Sequence, residues 1–204
     1  MNVIVTFAVY FLFFAVIHSL LATDRIKDIA KNQLGEGFKY YRLVYNILSF
    51  PLFAPAFLIW VNNTTSTPPV YSVPQWLYPF IILIRLAAIG LFIYAALQLD
   101  LLEFAGIRQI YGKTRNVLIT KGAYGIVRHP LYTGAIILLL TKAEMSQLDL
   151  IAVLFISIYF ITGAYIEERR MPAIFGEEYR KYQKNVSMFI PVKWIVKLRS
   201  GVLK

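Results

Sequence analysis

The sequence has 204 residues, of which 58% are hydrophobic and 16% are charged, and its formal net charge is +10. The apolar residues lie in long blocks rather than in amphipathic stripes, which indicates a polytopic helical membrane protein and not a soluble domain. The sequence contains no cysteine and two histidines, His18 and His129. Disulfides, zinc–thiolate sites, cysteine nucleophiles and a histidine-rich metal site are therefore excluded, and we expect no metal.

Three apolar blocks fill the N-terminal half. The block from Val3 to Ala22 predicts a transmembrane helix rather than a signal peptide, because no basic residue precedes it and no small-residue cleavage site follows it. The block from Leu43 to Val61 contains Pro51 and Pro55, which predict a kinked helix of a kind that membrane proteins tolerate. A third predicted span runs from Trp76 to Leu99.

Two further blocks predict a helical hairpin. The fourth, Leu131 to Thr141, is shorter than the roughly 20 residues that a span needs, and the fifth runs from Leu148 to Ile166. The segment between them, Lys142 to Gln147, leaves room for a tight turn only. Ser146, with Asp149 three residues later, predicts a capping box at the start of the fifth helix.

We therefore predict an all-α polytopic fold of about five transmembrane helices with a helical cytoplasmic tail. It forms one membrane domain, in which residues 1–99 hold three spans and residues 100–204 hold a loop, the hairpin and the tail.

The basic residues are unevenly distributed between the predicted loops. They number five in loop 23–42, none in loop 62–75, five in segment 100–130 and nine from Glu167 onwards. This alternation predicts an N-terminus outside and a tail in the cytoplasm. Topology and anionic lipid headgroups then explain the charge, so we expect a bilayer and no nucleic acid as partner.

Two polar segments on the predicted cytoplasmic side carry the candidate chemistry. They are "GAYGIVRHPLYTG", residues 122–134, and "IEERRMPAIFGEEYRKYQKNVSMFIP", residues 166–191. Pro130 is favoured in the first turn of a helix, which puts His129 at the helix entrance, where free N–H groups attract an anion. Gly122 and Gly125 permit tight turns around Tyr124. These features predict a cradle for a polar, carboxylate-bearing ligand beside the membrane.

A structural interpretation stands beside the ligand site. Arg128 and His129 at a helix end also suit anchoring to headgroups, with Tyr132 in an aromatic belt and Glu167 in a solvated helix start. On these residues alone, anchoring is slightly favoured. Other polar residues receive structural interpretations: His18 bonded to a neighbouring carbonyl, Arg85 paired within the bundle or snorkelling, and Asp100 with Glu103 at a solvated helix terminus.

A family resemblance changes that balance. The order "LITKGAYGIVRHPLYTG", hairpin, "EERRMPAIFGEEYRKYQKNV" resembles the isoprenylcysteine carboxyl methyltransferase family and the related membrane phospholipid methyltransferases. These motifs are specific in combination and cover roughly the C-terminal half. The N-terminal stretches "IHSLLAT" and "RLVYN" resemble the NnrU branch and its small-thiol methyltransferase relatives.

The resemblance implies a methyltransferase that uses S-adenosylmethionine, enclosed between the loop and the tail. It assigns supporting roles to Arg128 and Glu168, and it names no catalytic residue. The cofactor-binding residues that it implies are Gln109, Asn116, Val117, Leu118, Ile119, Tyr124, His129, Pro130, Leu131, Tyr132 and Glu167.

The acceptor is the least determined part of this expectation. In carboxyl methyltransferases of the family, an arginine precedes the Glu–Glu pair by about one helical turn, and the matching residue here is Gly163. The resemblance implies a hydrophobic or lipid-like acceptor, with a small thiol or a phospholipid amine as the alternatives. A non-enzymatic NnrU-type membrane protein, a transporter, and a sterol-type reductase that binds a nicotinamide nucleotide remain as other classes.

Overall fold

The computed structural model describes residues 2–112, 114 and 117–200. In these residues most of the chain is helical, and one small two-stranded sheet pairs β1 (Pro69–Ser72) with β2 (Glu144–Ser146). The helices are, in chain order, α1 (Val3–Ala22), α2 (Asp24–Leu34), α3 (Tyr41–Asn62), α4 (Tyr78–Gln98), α5 (Leu101–Ala105), α6 (Ile107–Ile110), α7 (Ala123–Ile126), α8 (Pro130–Leu140), α9 (Gln147–Asn185) and α10 (Val192–Arg199). Short 3-10 helices lie at Gly35–Tyr40, Thr64–Ser66 and Gln75–Leu77.

The described residues contain four helical stretches that are long and apolar enough to cross a membrane: Val3–Ala22, Asp24–Asn62, Gln75–Gln98 and Gln147–Asn185. The predicted all-α polytopic fold is thus confirmed. The fourth predicted block is helix α8, which has 11 residues and a length of about 16 Å. Because a hydrocarbon core is about 30 Å thick, α8 is too short to span it, so the five predicted apolar blocks correspond to four helices long enough to span and one short helix.

The chain divides into two compact units, and the first comprises residues 1–71, 100–116 and 145–155. Its core is aromatic. Phe7 and Phe11 of α1 stack on each other with ring centroids 5.8 Å apart. Phe11 also lies 6.4 Å from Phe53 of α3 and 5.6 Å from Phe155 of α9. These rings join α1, α3 and the first part of α9 by the edge-to-face contacts that aromatic side chains favour.

The start of α9 confirms the predicted capping box. Ser146 Oγ accepts from the Asp149 amide at 3.1 Å, and Asp149 Oδ2 accepts from the Ser146 amide at 3.1 Å. The indole of Trp60 adds a third hydrogen bond to the Asp149 carboxylate, at 2.8 Å. The turn before this helix is not only a tight turn as predicted, because β2 pairs there with β1, 75 residues earlier in the chain at Pro69 and Glu144.

Loop 23–42, which separates the first two predicted spans, contains a helix, since more than half of it forms α2. Thr23 caps the helix by accepting from the Ile26 amide at 3.4 Å. Gly35 ends it with φ at 51°, in the left-handed region that favours glycine. The residues of α2 are half-buried or exposed, and its polar and apolar residues segregate to opposite sides, as in helices that lie in a membrane interface.

The second unit comprises residues 72–99, 117–144 and 156–204. Helices α4 and α8 pack closely in it, because Gly134 has no side chain. A β-carbon at Gly134 would meet the Ala88 carbonyl oxygen at 3.0 Å and the Phe92 β-carbon at 3.3 Å. This packing holds the N-terminal end of α8 in a fixed position.

The C-terminal part of the second unit folds back on the loop before α8. Helix α9 continues beyond its apolar part and kinks at Gly176, where φ is 57°. The segment that follows α9 then pairs with the loop: Val127 and Ser187 form a parallel bridge, and the His129 amide donates to the Met188 carbonyl at 3.1 Å. The two polar segments identified in the sequence are therefore joined by backbone hydrogen bonds.

Candidate functional site

The site begins at the N-terminus of α8. His129 is the residue that precedes the helix, and its carbonyl accepts from the Thr133 amide at 2.9 Å. Pro130 occupies the first helical position and is buried, so the helix start predicted from the proline is confirmed. The Arg128 amide donates to the Ser187 carbonyl at 2.9 Å. Backbone pairing on both residues fixes the position of the His129 ring.

A buried carboxylate, Glu168, organises the side chains around this helix start. It is 8% exposed and lies one residue beyond Glu167 on α9. Hydrogen bonds reach its two oxygens from Arg128 Nε (2.8 Å), Arg128 Nη2 (2.9 Å), His129 Nε2 (2.9 Å), Tyr179 Oη (2.9 Å) and Gln183 Nε2 (2.7 Å). We call these five residues, Arg128, His129, Glu168, Tyr179 and Gln183, the clasp.

Arg128 extends the clasp to the end of α9. Its Nη1 donates to the carbonyl of Gln183 at 3.2 Å and to the carbonyl of Val186. Two nitrogens of the guanidinium thus form a bidentate pair with the Glu168 carboxylate, a geometry that lysine does not provide. The third nitrogen donates to carbonyl groups at the end of α9. The structure brings the predicted supporting residues, Arg128 and Glu168, into direct contact.

Glu167 faces another direction than Glu168, because adjacent residues of an α-helix point about 100° apart. Its side chain is 46% exposed, and its Oε2 lies 3.9 Å from His129 Nδ1. Glu168 is an acceptor when ionised, so His129 Nε2 carries the proton of the bond between them. In the neutral ring, Nδ1 is then an acceptor that faces the Glu167 carboxylate.

Aromatic rings form the next layer. The Tyr132 ring stacks on His129, with centroids 5.7 Å apart and planes at 5°, and on Phe160, with centroids 5.1 Å apart. The Tyr124 side chain is half-buried, and burial, together with the charge of Glu167, raises the pKa of its hydroxyl to about 12. The Tyr124 hydroxyl therefore stays protonated at neutral pH and serves as a hydrogen-bond donor.

The structure brings most of the predicted site residues into the second unit. The half-buried Leu131 follows Pro130 on α8, and Leu118 packs against Tyr179, Tyr182 and Val186. Val117 is 67% exposed, Ile119 is half-buried, and Asn116 lies outside the described residues.

Gln109 belongs to the first unit instead, on α6. Its Nε2 donates to the Glu103 carbonyl at 3.2 Å. Its Oε1 is buried, and within the described ranges no hydrogen-bond donor reaches it. The membership of Gln109 in a cofactor site stays a prediction.

Sequence reasoning assigned no role to Tyr179 and Gln183, although both donate to Glu168. Both lie in the quoted tail segment, four residues apart. That spacing puts them on one face of a helix and could have marked them as partners of one group. Phe160 lies in an apolar span, where no signal separated it from lipid-facing residues.

Three polar residues for which the sequence predicted structural roles, Asp100, Arg85 and His18, form hydrogen bonds within the protein. Asp100 caps α5 by accepting from the Glu103 amide at 3.1 Å, as expected for a helix terminus. Arg85 donates to the carbonyls of Leu138 and Thr141 at 3.1 and 3.0 Å, a pairing within the bundle. The predicted carbonyl partner of His18 is corrected to two hydroxyl partners, since its ring bonds to the side chains of Tyr45 and Ser49.

The fold and the clasp together define an integral membrane protein in which a charged helix–loop junction gathers the candidate ligand groups. The chain belongs to the family described as NnrU protein, which matches residues 6–190. The match extends over both halves of the chain, whereas the sequence motifs indicated the NnrU branch in the N-terminal half alone.

Individual relatives are named methanethiol S-methyltransferases. The chain is 35% identical over 108 residues to the one from Pseudomonas deceptionensis, covering 50% of this chain and 41% of the relative. It is 28% identical over 157 residues to the one from Pseudomonas sp. (strain GM41(2012)), covering 74% and 59%. It is 27% identical over 186 residues to methanethiol S-methyltransferase 2 of Bradyrhizobium diazoefficiens, covering 87% and 69%. The chain thus spans about half the length of the first two relatives. No solved structure matches it.

Proposed function

We propose that this protein is an integral membrane methyltransferase that moves a methyl group from S-adenosylmethionine to a small thiol. One observation carries the proposal: the clasp fixes His129, while the neighbouring Glu167 carboxylate is left half-exposed 3.9 Å from it. The names of the relatives and the resemblance of the two polar segments to membrane methyltransferases support the same conclusion.

The residues at the clasp suit the chemistry of S-adenosylmethionine. The cofactor carries an ammonium group, a carboxylate and ribose hydroxyls. Glu167 supplies an acceptor for an ammonium or a hydroxyl, and the N-terminal end of α8 supplies N–H groups for a carboxylate. Tyr124, with its pKa of about 12, supplies a neutral donor. The other cofactor-binding residues, Gln109 and Asn116 among them, stay in the proposal on the family pattern alone.

The chain's contribution to the reaction is alignment and protection from water. S-adenosylmethionine, when bound, supplies a methyl group on a sulfonium. Glu167, Tyr124 and the N-terminal end of α8 would hold the cofactor, whose sulfonium would supply the methyl group to an acceptor sulfur and keep the electron pair of the broken bond, while the proton of the acceptor would pass to solvent. The aromatic stack of His129, Tyr132 and Phe160 makes this side of the site rigid and apolar, which favours in-line alignment.

The acceptor position favours a small neutral molecule over a carboxylate. Gly163 lies on α9 one turn before Glu167 and one turn after Tyr159. A β-carbon at Gly163 would meet no heavy atom of the described residues within 4 Å. Because glycine contributes neither bulk nor a cation at this position, a small thiol fits here better than the anionic end of a prenylated cysteine.

We further propose the orientation that the charge distribution predicts, with the N-terminus outside and the clasp and tail in the cytoplasm. This arrangement gives the clasp access to the water-soluble cofactor, while an apolar acceptor enters from the bilayer.

The proposal is tested on the full chain, purified in detergent. We expect S-adenosylmethionine and its demethylated product to raise the unfolding temperature. We also expect labelled methyl transfer to methanethiol to exceed transfer to a prenylated cysteine or to phosphatidylethanolamine. Stabilisation without transfer to any thiol would contradict the acceptor, and the absence of both would contradict the methyltransferase. Stabilisation by a nicotinamide nucleotide instead would indicate a reductase.

A pair of glycine variants tests the acceptor position. Gly163→Leu fills the open face, so methyl transfer to methanethiol should fall about tenfold or more, with cofactor affinity unchanged. Gly90→Leu is the matched control, because Gly90 of α4 also has no described heavy atom within 4 Å of a built β-carbon. Equal activity of the two variants would remove the acceptor from this face.

A further inference from the structure

Helix α8 ends at a depth where its last carbonyl groups need partners from the protein. The helix has 11 residues and covers about 16 Å, roughly half of a hydrocarbon core. Carbonyls at a helix end are otherwise unsatisfied, and lipid offers them no donor. Arg85 of α4 meets this need, since its Nη1 donates to the carbonyls of Leu138 and Thr141.

This capping uses one nitrogen of the guanidinium and neutral acceptors only. In the part of the chain that the structure describes, the hydrogen bonds of Arg85 reach carbonyl oxygens and no carboxylate. Arg85 is half-buried within a stretch that is apolar enough to span the membrane. A cation at this depth is costly without a counter-charge, and its remaining N–H groups are suited to an anion.

A cavity of about 340 Å³ lies beside this guanidinium. Its walls are largely apolar, and they carry two cations and no acidic side chain. None of the predicted cofactor residues lines it. The lining residues are Tyr78, Ile81, Ile82, Arg85, Thr141, Lys142 and Ala143.

We propose that this cavity binds an anionic phospholipid, with the lipid phosphate on Arg85 and Lys142 and an acyl chain against α4. The two cations complement a phosphate, and the volume is in the range of small-molecule sites. The apolar surface of α4 continues from Ile82, which lines the cavity, to Leu86 outside it, and these side chains are 55% and 60% exposed. This surface gives the hydrocarbon chain a path into the bilayer.

The site is separate from the clasp, so its test does not depend on methyl transfer. The full chain is exchanged into micelles that contain equal amounts of phosphatidylglycerol and phosphatidylcholine, and the lipids retained are measured by native mass spectrometry. We expect phosphatidylglycerol to be retained preferentially. Lys142→Gln should reduce that preference about fivefold, the equivalent of about 1 kcal/mol per basic residue near a membrane surface.

Two further variants keep the test independent of the capping role of Arg85. Ala143→Leu fills the cavity and keeps both cations, and it should also lose the retained lipid. Lys31→Gln on α2 removes an equal charge elsewhere and should retain it. Equal retention of the two lipids by the unmodified protein, or unchanged preference in both Lys142→Gln and Ala143→Leu, would overturn the proposal. Displacement of the lipid by millimolar inorganic phosphate would assign the site to free phosphate and would overturn it too.

Discussion

The two histidines of the chain lie in contrasting environments. In the first unit, Ser49 Oγ donates to the Tyr45 carbonyl at 2.8 Å, so it can only accept from His18 Nδ1 at 2.9 Å. His18 Nε2 is then unprotonated and accepts from the Tyr45 hydroxyl. The side-chain N–H of His18 and the hydroxyls of Tyr45 and Ser49 thus each donate one hydrogen bond, and no charged group takes part in these bonds. A histidine held in this way joins two apolar helices, α1 and α3.

His129 in the second unit has a hydrogen-bond partner among the described residues on one ring nitrogen only. Its Nε2 donates to the buried Glu168 carboxylate, while Nδ1 lies 3.9 Å from the half-exposed Glu167, beyond hydrogen-bond distance. Residue type and membrane location therefore do not separate a structural histidine from the one that we propose to face a ligand. The difference lies in whether the second ring nitrogen has a partner within the protein.

The largest effect is expected when the support of His129 is removed. Glu168→Gln leaves Arg128, whose side chain is 10% exposed, without its counter-charge, which should cost about 3–5 kcal/mol and lower the unfolding temperature by about 10 °C. Thermal unfolding in detergent measures this loss. Glu177→Gln is the control, because Glu177 is 75% exposed and pairs with Arg180 at the surface, where a pair contributes about 1 kcal/mol or less. Similar shifts in the two variants would show that the clasp contributes no more than a surface pair.

The next prediction separates the two histidines by ligand affinity. His129→Ala should weaken S-adenosylmethionine binding about 100-fold, beyond the range of a calorimetric titration, because we propose that the ring contacts the cofactor. His18→Ala should leave the affinity unchanged in the fraction of protein that stays folded. Unchanged affinity in His129→Ala would remove His129 from the site.

The sequence predicted those features that depend on neighbouring residues. The bounds of α1 follow from an apolar run between two polar residues, and the start of α8 follows from Pro130, whose missing N–H is needed by no partner there. The capping box of Ser146 and Asp149 is also local. Such features need three or four adjacent residues and no knowledge of the tertiary fold.

The sequence could not show which of two adjacent glutamates is buried. Glu168 lies 40 residues from Arg128 in the chain, and the choice between it and Glu167 depends on the rotation of α9, which packing sets. The capping of α8 by Arg85 depends in the same way on where α8 ends. Helix α2 lies in a segment that was considered only for its charge, although Ile26 and Ile29 have helical spacing.

Glu167 and Glu168 can be separated by a change that affects binding alone. Glu167→Gln removes the charge of a side chain that is 46% exposed and lies 3.9 Å from His129 Nδ1, so stability should change by less than about 0.5 kcal/mol. Cofactor affinity should fall about tenfold, as expected when a hydrogen bond to a charged group is lost. Unfolding temperature without ligand and calorimetric affinity measure the two effects. A large loss of stability with full affinity would reverse the roles of the two glutamates.

The smallest effect is expected at the His18 cluster. Tyr45→Phe removes the hydroxyl that donates to His18 Nε2 and leaves the aromatic contact of the rings, whose centroids are 4.6 Å apart. The unfolding free energy should fall by about 1 kcal/mol, the net value of one neutral hydrogen bond. Cofactor affinity and methyl transfer should stay unchanged, because the hydrogen bonds of this cluster close on one another. A variant with normal stability and reduced methyl transfer would place His18 in the reaction and would end the distinction between the two histidines.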